Sequence, residues 1–105
     1  MHNACSQCAY DHSWDMDHRD FFSHTNPDGD DPFDRMAAAG INYSAAGENI
    51  AGGYSTPQAV MTGWMNSQGH RDNILSPNFT QIGIGVREGS NGQYGTYWTQ
   101  VFRRP

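Results

Sequence analysis

The hydrophobic pattern of the chain changes its period in the last quarter. Ile82, Ile84 and Val86 alternate with glycine or arginine, which is the two-residue period of a strand with one buried face. A turn sequence follows at 90–92, and the segment 94–102 after it is rich in β-branched and aromatic residues. These two segments are therefore predicted to pair as an antiparallel C-terminal β-hairpin.

Helical patterns precede this hairpin. Four segments have helical spacing or helix caps: 3–20, 32–39, 57–68, which Gly69 ends, and the single turn 70–75. The segment 21–31 is dense in turn residues and is predicted to be a loop, whereas the Gly- and Ala-rich segment 41–54 fits neither pattern. Helices followed by a hairpin indicate an α+β fold in which the helices pack on an antiparallel sheet.

Length and charge limit the classes of protein to which the chain can belong. With 105 residues it is predicted to be a single domain, 1–105, with one modest core. The net charge is −5 and lysine is absent, so the chain lacks the basic stripe of a nucleic-acid-binding protein. No long apolar run occurs, which predicts that no segment spans a membrane.

The two cysteines, Cys5 and Cys8, form a C-x-x-C motif near the start of the chain. A disulfide or a pair of packed thiols is the favoured interpretation, because no βαβ pattern surrounds the motif as it does in redox proteins. The alternative is a zinc site that also uses His12, one turn further along the helix, although a fourth ligand is not evident.

Three titratable residues stand out by their surroundings. Glu48 lies in an apolar, glycine-rich segment, where a buried carboxylate needs a cation, a hydrogen-bond donor or a metal. His24 lies in the turn-rich loop, and His70 follows Gly69. Two His and one Glu are the ligand set of many catalytic zinc sites. Their separations of 24 and 22 residues match no local metal motif, so structural roles for all three are the open alternative.

Seven motifs occur in one order along the chain: F-S-H at 22–24, N-P-D-G at 26–29, G-E-N-I at 47–50, W-M-N-S-Q-G-H-R at 64–71, N-I-L at 73–75, I-G-I-G at 82–85 and Y-W-T-Q-V-F at 97–102. Together they resemble the bacterial branch of the CAP (SCP-like) superfamily over residues 9–102. The resemblance implies a three-layer α/β/α sandwich that is secreted or displayed at the cell surface. The first helix is shorter than is usual in the family, and the sheet that it would leave uncovered suggests a homodimer.

Members of this family hold two His and two Glu in a cleft, where some bind zinc or another divalent metal. His24 matches the first family His, and Glu48 matches the Glu of the G-E-N motif. Ser67 and Tyr97 stand where animal and plant members have the second Glu and the second His, and the G-H-R motif is expected to bring His70 to the same cleft. The resemblance thus implies a cleft of these five residues, with His24, Glu48 and His70 as ligands of a divalent metal, zinc being the first candidate.

Two functions follow from such a cleft. The favoured one is a secreted binding module for a small molecule, a lipid or a cell-wall glycan, because Ser67 replaces the second Glu. Tyr94, Tyr97 and Trp98 are predicted to be exposed beside the cleft, where they would suit such a ligand. The alternative is a metal-dependent hydrolase of peptide or ester bonds, in which a metal-bound water attacks. A third arrangement makes Glu48 the catalytic base, with the metal absent or held by the two His alone.

Overall fold

The computed structural model describes residues 1–105 as four helices and three strands. In chain order these are α1 (Asn3–His18), α2 (Pro32–Ala38), β1 (Ala45–Gly52), α3 (Pro57–Met65), α4 (Gln68–Leu75), β2 (Gln81–Glu88) and β3 (Thr96–Arg104). The strands form one antiparallel sheet in the order β1-β3-β2. The predicted α+β class and the C-terminal hairpin, which consists of β2 and β3, are confirmed. None of the four helices has the length and apolar character needed to cross a bilayer.

Helices cover both faces of the sheet. Val101 of the central strand β3 shares an apolar cluster with Cys8 of α1 and Met36 of α2. Trp98, three positions earlier and hence on the opposite face, packs with Trp64 of α3. The last helix, α4, packs against α3 and β1. The molecule is therefore the three-layer α/β/α sandwich that the family resemblance implies.

The first helix lies directly on the backbone of β2. A Cβ atom at Gly83 would overlap the backbone of Cys5, and one at Gly85 would overlap the backbone of Tyr10. The buried hydroxyl of Ser13 adds a polar contact, since it donates to the Gly85 carbonyl oxygen at 3.0 Å. The glycines that alternate with isoleucine in β2 are thus required by the close approach of the helix.

Two boundaries differ from the expectation based on sequence. The undecided segment 41–54 contains β1, whose small residues have little strand propensity and which forms because it pairs along its whole length with β3. Helix α3 already ends at Met65, and Gly69 lies inside α4 instead of ending α3. The break lets α4 turn onto the edge of the sheet, where the side chain of Asn49 donates to the His70 carbonyl oxygen at 3.0 Å.

Cys5 and Cys8 are free thiols in the apolar cluster between α1 and the sheet. Both are buried, and burial raises the pKa of Cys8 to about 11. Of the two arrangements favoured from the sequence, the structure thus has packed thiols. No three His, Cys, Asp or Glu side chains of the chain, His12 included, are arranged to hold a metal ion.

Gly83→Ala and Gly85→Ala are each expected to lower the free energy of unfolding by about 1–3 kcal/mol, because the added methyl group has to push α1 away from β2. Gly69→Ala is the matched control, since nothing lies within 4 Å of its Cβ position. This variant is expected to gain about 0.5 kcal/mol from the better helix propensity of alanine. Urea unfolding followed by far-UV circular dichroism measures all three. An unchanged midpoint in Gly85→Ala would contradict the close approach.

Candidate functional site

Glu48 of β1 is the centre of the candidate site. Only 1% of its side chain is exposed, and it lies on the same side of the sheet as Ile50, the side that α1 covers. His24, in the loop between α1 and α2, approaches from the rim, and its Nδ1 lies 2.9 Å from Oε1 of Glu48. Two of the residues predicted from the sequence to share a cleft are therefore in direct contact.

Arg35 of α2 supplies the cation that neutralises Glu48. Its Nη1 donates to Oε2 at 2.8 Å and its Nη2 donates to Oε1 at 3.1 Å, a two-point contact between guanidinium and carboxylate. Nη2 also donates to the carbonyl oxygen of His24 at 2.6 Å, which ties the loop to the same ion pair. A capping box between Asp31 and Asp34 starts α2 at the position that brings Arg35 to β1.

The prediction from the sequence does not include Arg35. It belongs to none of the family motifs, and 13 residues separate it from Glu48. The sequence contains one signal for such a residue. A carboxylate buried in an apolar segment needs a cation, and the chain has only six Lys and Arg residues in total. That signal selects a residue type and leaves the position open.

The surroundings of Glu48 keep it ionised. Burial by itself raises the pKa of Glu48, but the hydrogen bonds from His24 and Arg35 and the charge of Arg35 outweigh burial and hold this pKa below its usual value. For His12 of α1, whose Nε2 is 4.0 Å from Glu48, burial prevails and lowers the pKa, so the ring is neutral at pH 7. Its Nε2 donates to the Ser23 carbonyl oxygen at 2.9 Å and thereby holds the loop against α1.

His70 and Ser67 form a second pair, on α4. The Ser67 hydroxyl lies 2.9 Å from Nδ1 of His70. Burial, and after it the charge of His24, lowers the pKa of His70. Asn49 binds the His70 carbonyl oxygen from the face of β1 opposite to Glu48. The Glu48 cluster and α4, which carries Ser67 and His70 at its start, thus lie on opposite sides of the same edge strand.

A groove of about 290 Å³ lies beside His70. Phe22, Tyr54 and Tyr94 are its exposed aromatic walls, and Ser67 and His70 are its polar residues. The Phe22 and Tyr94 rings meet edge to face, with centroids 5.2 Å apart, so the two walls support each other. The groove therefore combines a flat apolar surface with a hydroxyl and a neutral imidazole.

Tyr97 does not line this groove, and the prediction that its side chain is exposed is wrong. Alternate residues of β3 face opposite sides, and Tyr97 shares the α1 side with Val101, where it is 1% exposed and packs with Ile50. Its hydroxyl accepts the backbone N–H of Tyr94 at 3.1 Å, so it supports the loop that carries a groove wall. Trp98 is buried as well, and of the three aromatic residues predicted to be exposed only Tyr94 is.

The residues around Glu48 do not fit a three-ligand zinc site in this arrangement. Both carboxylate oxygens bind Arg35, and a metal bound to them would stand against the guanidinium charge. His70 is hydrogen-bonded to Ser67 and not to this cluster. Zinc binding by His24, Glu48 and His70 therefore stays a prediction, and it requires that Arg35 leave the carboxylate.

Comparison with known proteins places the chain in a family. The family model described as "CAP: Cysteine-rich secretory protein family" matches residues 2–102. Protein YkwD of Bacillus subtilis (strain 168) is 50% identical over 97 residues, which are 92% of this chain and 36% of the relative. Membrane protein YlbC of the same strain is 35% identical over 97 residues, which are 92% of this chain and 26% of the relative. The chain thus spans about a third or less of the length of these curated relatives.

Solved structures share the fold. An extracellular protein containing an SCP domain, from Bacillus anthracis str. Ames, aligns with a TM-score of 0.82 and 38% identity over 97% of this chain and 32% of that chain. An outer surface protein from Borrelia burgdorferi aligns with a TM-score of 0.87 over 98% of this chain and 74% of that chain. At 16% identity, this second likeness shows the fold alone.

Glu48→Gln is expected to lower the free energy of unfolding by about 3 kcal/mol at pH 7, because it leaves the Arg35 charge without its buried partner. The pKa of Glu48 is lower in the folded state, so the ion pair stabilises the fold above its ordinary value of 4.5 and this contribution is lost as the pH falls further. The difference in unfolding free energy between wild type and Glu48→Gln should therefore shrink below pH 4.5. Urea unfolding at a series of pH values measures it.

Glu88→Gln is the matched control, because Glu88 is the other glutamate of the chain and is exposed at the end of β2. Its unfolding free energy should stay within about 0.5 kcal/mol of wild type at every pH. Equal effects of the two substitutions would contradict a buried ion pair at Glu48.

As long as Arg35 holds the carboxylate, zinc at stoichiometric concentration is expected to leave the melting temperature unchanged. Binding to the native state alone would raise the melting temperature, so a thermal melt with and without zinc is a direct measurement. A zinc-dependent increase that His24→Ala and His70→Ala each abolish would overturn this expectation and support the three-ligand site.

Proposed function

Since the chain belongs to the cysteine-rich secretory protein (CAP) family, we propose that it acts outside the cell or at its surface as a binding module and not as a hydrolase. The description of the relative from Bacillus anthracis as an extracellular protein supports this location. The observation that carries the proposal is the engagement of Glu48, whose two oxygens are bound by Arg35 and His24.

A hydrolase of the predicted kind needs a free base or a metal-bound water. Glu48 is the carboxylate that the family motif offers, but it is held ionised and its two oxygens accept three hydrogen bonds, so it serves as an anchor for its neighbours. Ser67 stands at the place of the second family Glu and offers a hydroxyl there. The polar residues at this edge of the sheet are thus arranged to orient a ligand.

The groove beside His70 is the proposed ligand site. Its three aromatic walls favour a flat ring, while the Ser67 hydroxyl and the His70 imidazole can exchange hydrogen bonds with hydroxyl and amide groups. Fragments of the bacterial cell wall, which join sugar rings to amides, have both features. The net charge of −5 and the absence of lysine oppose adsorption to anionic lipid, so a lipid is the less favoured ligand.

One observation favours hydrolysis as a second candidate. The Ser67 hydroxyl lies 2.9 Å from the neutral ring of His70. A serine nucleophile and the histidine that serves as its base make the same contact. No hydrogen bond from a third side chain orients His70, and the same contact is explained by local structure, because Ser67 is the N-cap of α4 and His70 lies in its first turn. Binding is therefore the favoured function.

Titration with a soluble muropeptide is expected to shift the amide resonances of Ser67, His70 and Tyr94 in a saturable way, without cleavage of the muropeptide. Tyr94→Ala should weaken the apparent Kd about tenfold, because it removes one aromatic wall. Tyr43→Ala is the matched control, since this tyrosine is similarly exposed and packs with Phe33, away from the groove. NMR titration with product analysis by mass spectrometry measures both outcomes.

Two results would contradict the proposal. Saturation with no shift at the groove residues would remove the groove as the site. Cleavage of the muropeptide that His70→Ala abolishes would replace the binding module by the serine-dependent hydrolase.

A further inference from the structure

A second cavity, of about 550 Å³, lies between α1 and α2 and shares no lining residue with the groove beside His70. Cys8 and His12 are its buried lining residues, while Asp11, Trp14 and Asp30 are exposed around it. We propose that this cavity binds an uncharged sugar ring. The proposal is independent of the ligand of the groove, since different residues carry it.

His12 contributes a buried hydrogen-bond acceptor without a partner. The residue is 1% exposed and lines the cavity. The carbonyl oxygen of Ser23 can only accept, so the proton of the ring lies on Nε2 and Nδ1 is left with a free lone pair. Nδ1 has no hydrogen-bond partner in the protein. Buried polar atoms are rarely left in this state, so we expect a ligand group to donate to Nδ1 once a small side-chain shift opens this atom to the cavity.

Arg35 also lines this cavity, and it has a buried donor without a partner. Its Nη1 and Nη2 are used by Glu48 and the His24 carbonyl oxygen, whereas its Nε–H is buried and bonds to nothing. A hydroxyl group both donates and accepts, so hydroxyl groups can satisfy Nδ1 of His12 and Nε of Arg35 alike. An ammonium group would donate to Nδ1 of His12, but the positive charge of Arg35 would repel it.

The exposed lining residues fit the remainder of a sugar. Trp14 is 39% exposed and stacks on His18 with ring centroids 4.4 Å apart, so its indole is held as a flat surface for the C–H face of a pyranose. The carboxylates of Asp11 and Asp30 accept hydrogen bonds from hydroxyl groups, and their charge repels an anionic ligand. The chemistry of the cavity thus selects a neutral, hydroxyl-rich ring.

The test uses two neutral sugars, methyl β-glucoside and N,N′-diacetylchitobiose, in an NMR titration of the full chain. Saturable amide shifts are expected in α1 and α2, around His12, Trp14 and Arg35. Trp14→Ala should weaken the apparent Kd about tenfold. Asp30→Asn, in the exposed loop, is a second variant that should weaken binding while leaving the fold intact. Tyr94→Ala, in the other groove, is the matched control and should leave these shifts unchanged.

Three results would overturn the proposal: no saturable shift with either neutral sugar, shifts confined to Ser67, His70 and Tyr94, or tighter binding of glucosamine or glucuronate than of the neutral sugars. The second result would leave the proposed function of the groove intact. Saturable shifts at the cavity without any at the groove would support the cavity and count against the groove as a glycan site. The two proposals therefore fail separately.

Discussion

The ion pair between Glu48 and Arg35 is the contact on which the arrangement of the site depends. It joins the edge strand β1 to α2, and through the second hydrogen bond of Arg35 it also fixes the loop that carries His24. Burying a carboxylate is costly, and only a cation with several hydrogen bonds offsets that cost. Because both carboxylate oxygens are engaged in this way, Glu48 is poorly placed to act as a base or as a metal ligand, and in the proposed function it holds the neighbouring elements.

The edge strand itself separates two chemical environments. Its residues alternate between the sheet faces, so Glu48 meets Arg35 and His12 on the α1 side, while Asn49 on the other side fixes α4 through the His70 carbonyl oxygen. Arg35 links the first environment to the cavity between α1 and α2. His70 belongs to the groove with aromatic walls. One short strand thus positions two candidate binding sites that have no lining residue in common.

Much of the fold follows from the sequence, because its signals are local. Helix α2 begins where Asp31 and Pro32 predict, and the alternation of Ile82 and Ile84 with glycine predicts β2. Strand β1 has no such signal, since its small residues become a strand only by pairing with β3. Its identity therefore depends on contacts made across about fifty residues of chain, which no local pattern describes.

The site follows from the sequence in part. The family motifs identify His24 and Glu48, which the structure brings into contact, and they also identify His70 and Ser67, which pair with each other. None of the motifs includes Arg35, because only the folded chain brings this residue to Glu48. The exposure of Tyr97 is wrongly predicted because its side chain faces α1, a matter of register that a motif match does not address.

The most direct test of the ion pair is an NMR titration of the Glu48 side-chain carboxyl carbon in the folded protein. If the carboxylate is held by Arg35 and His24, its apparent pKa lies below the ordinary value of 4.5. A value raised well above 4.5 would mean that burial prevails and that Glu48 takes up a proton near neutral pH. That result would contradict the ion pair and return Glu48 to the candidates for acid–base catalysis.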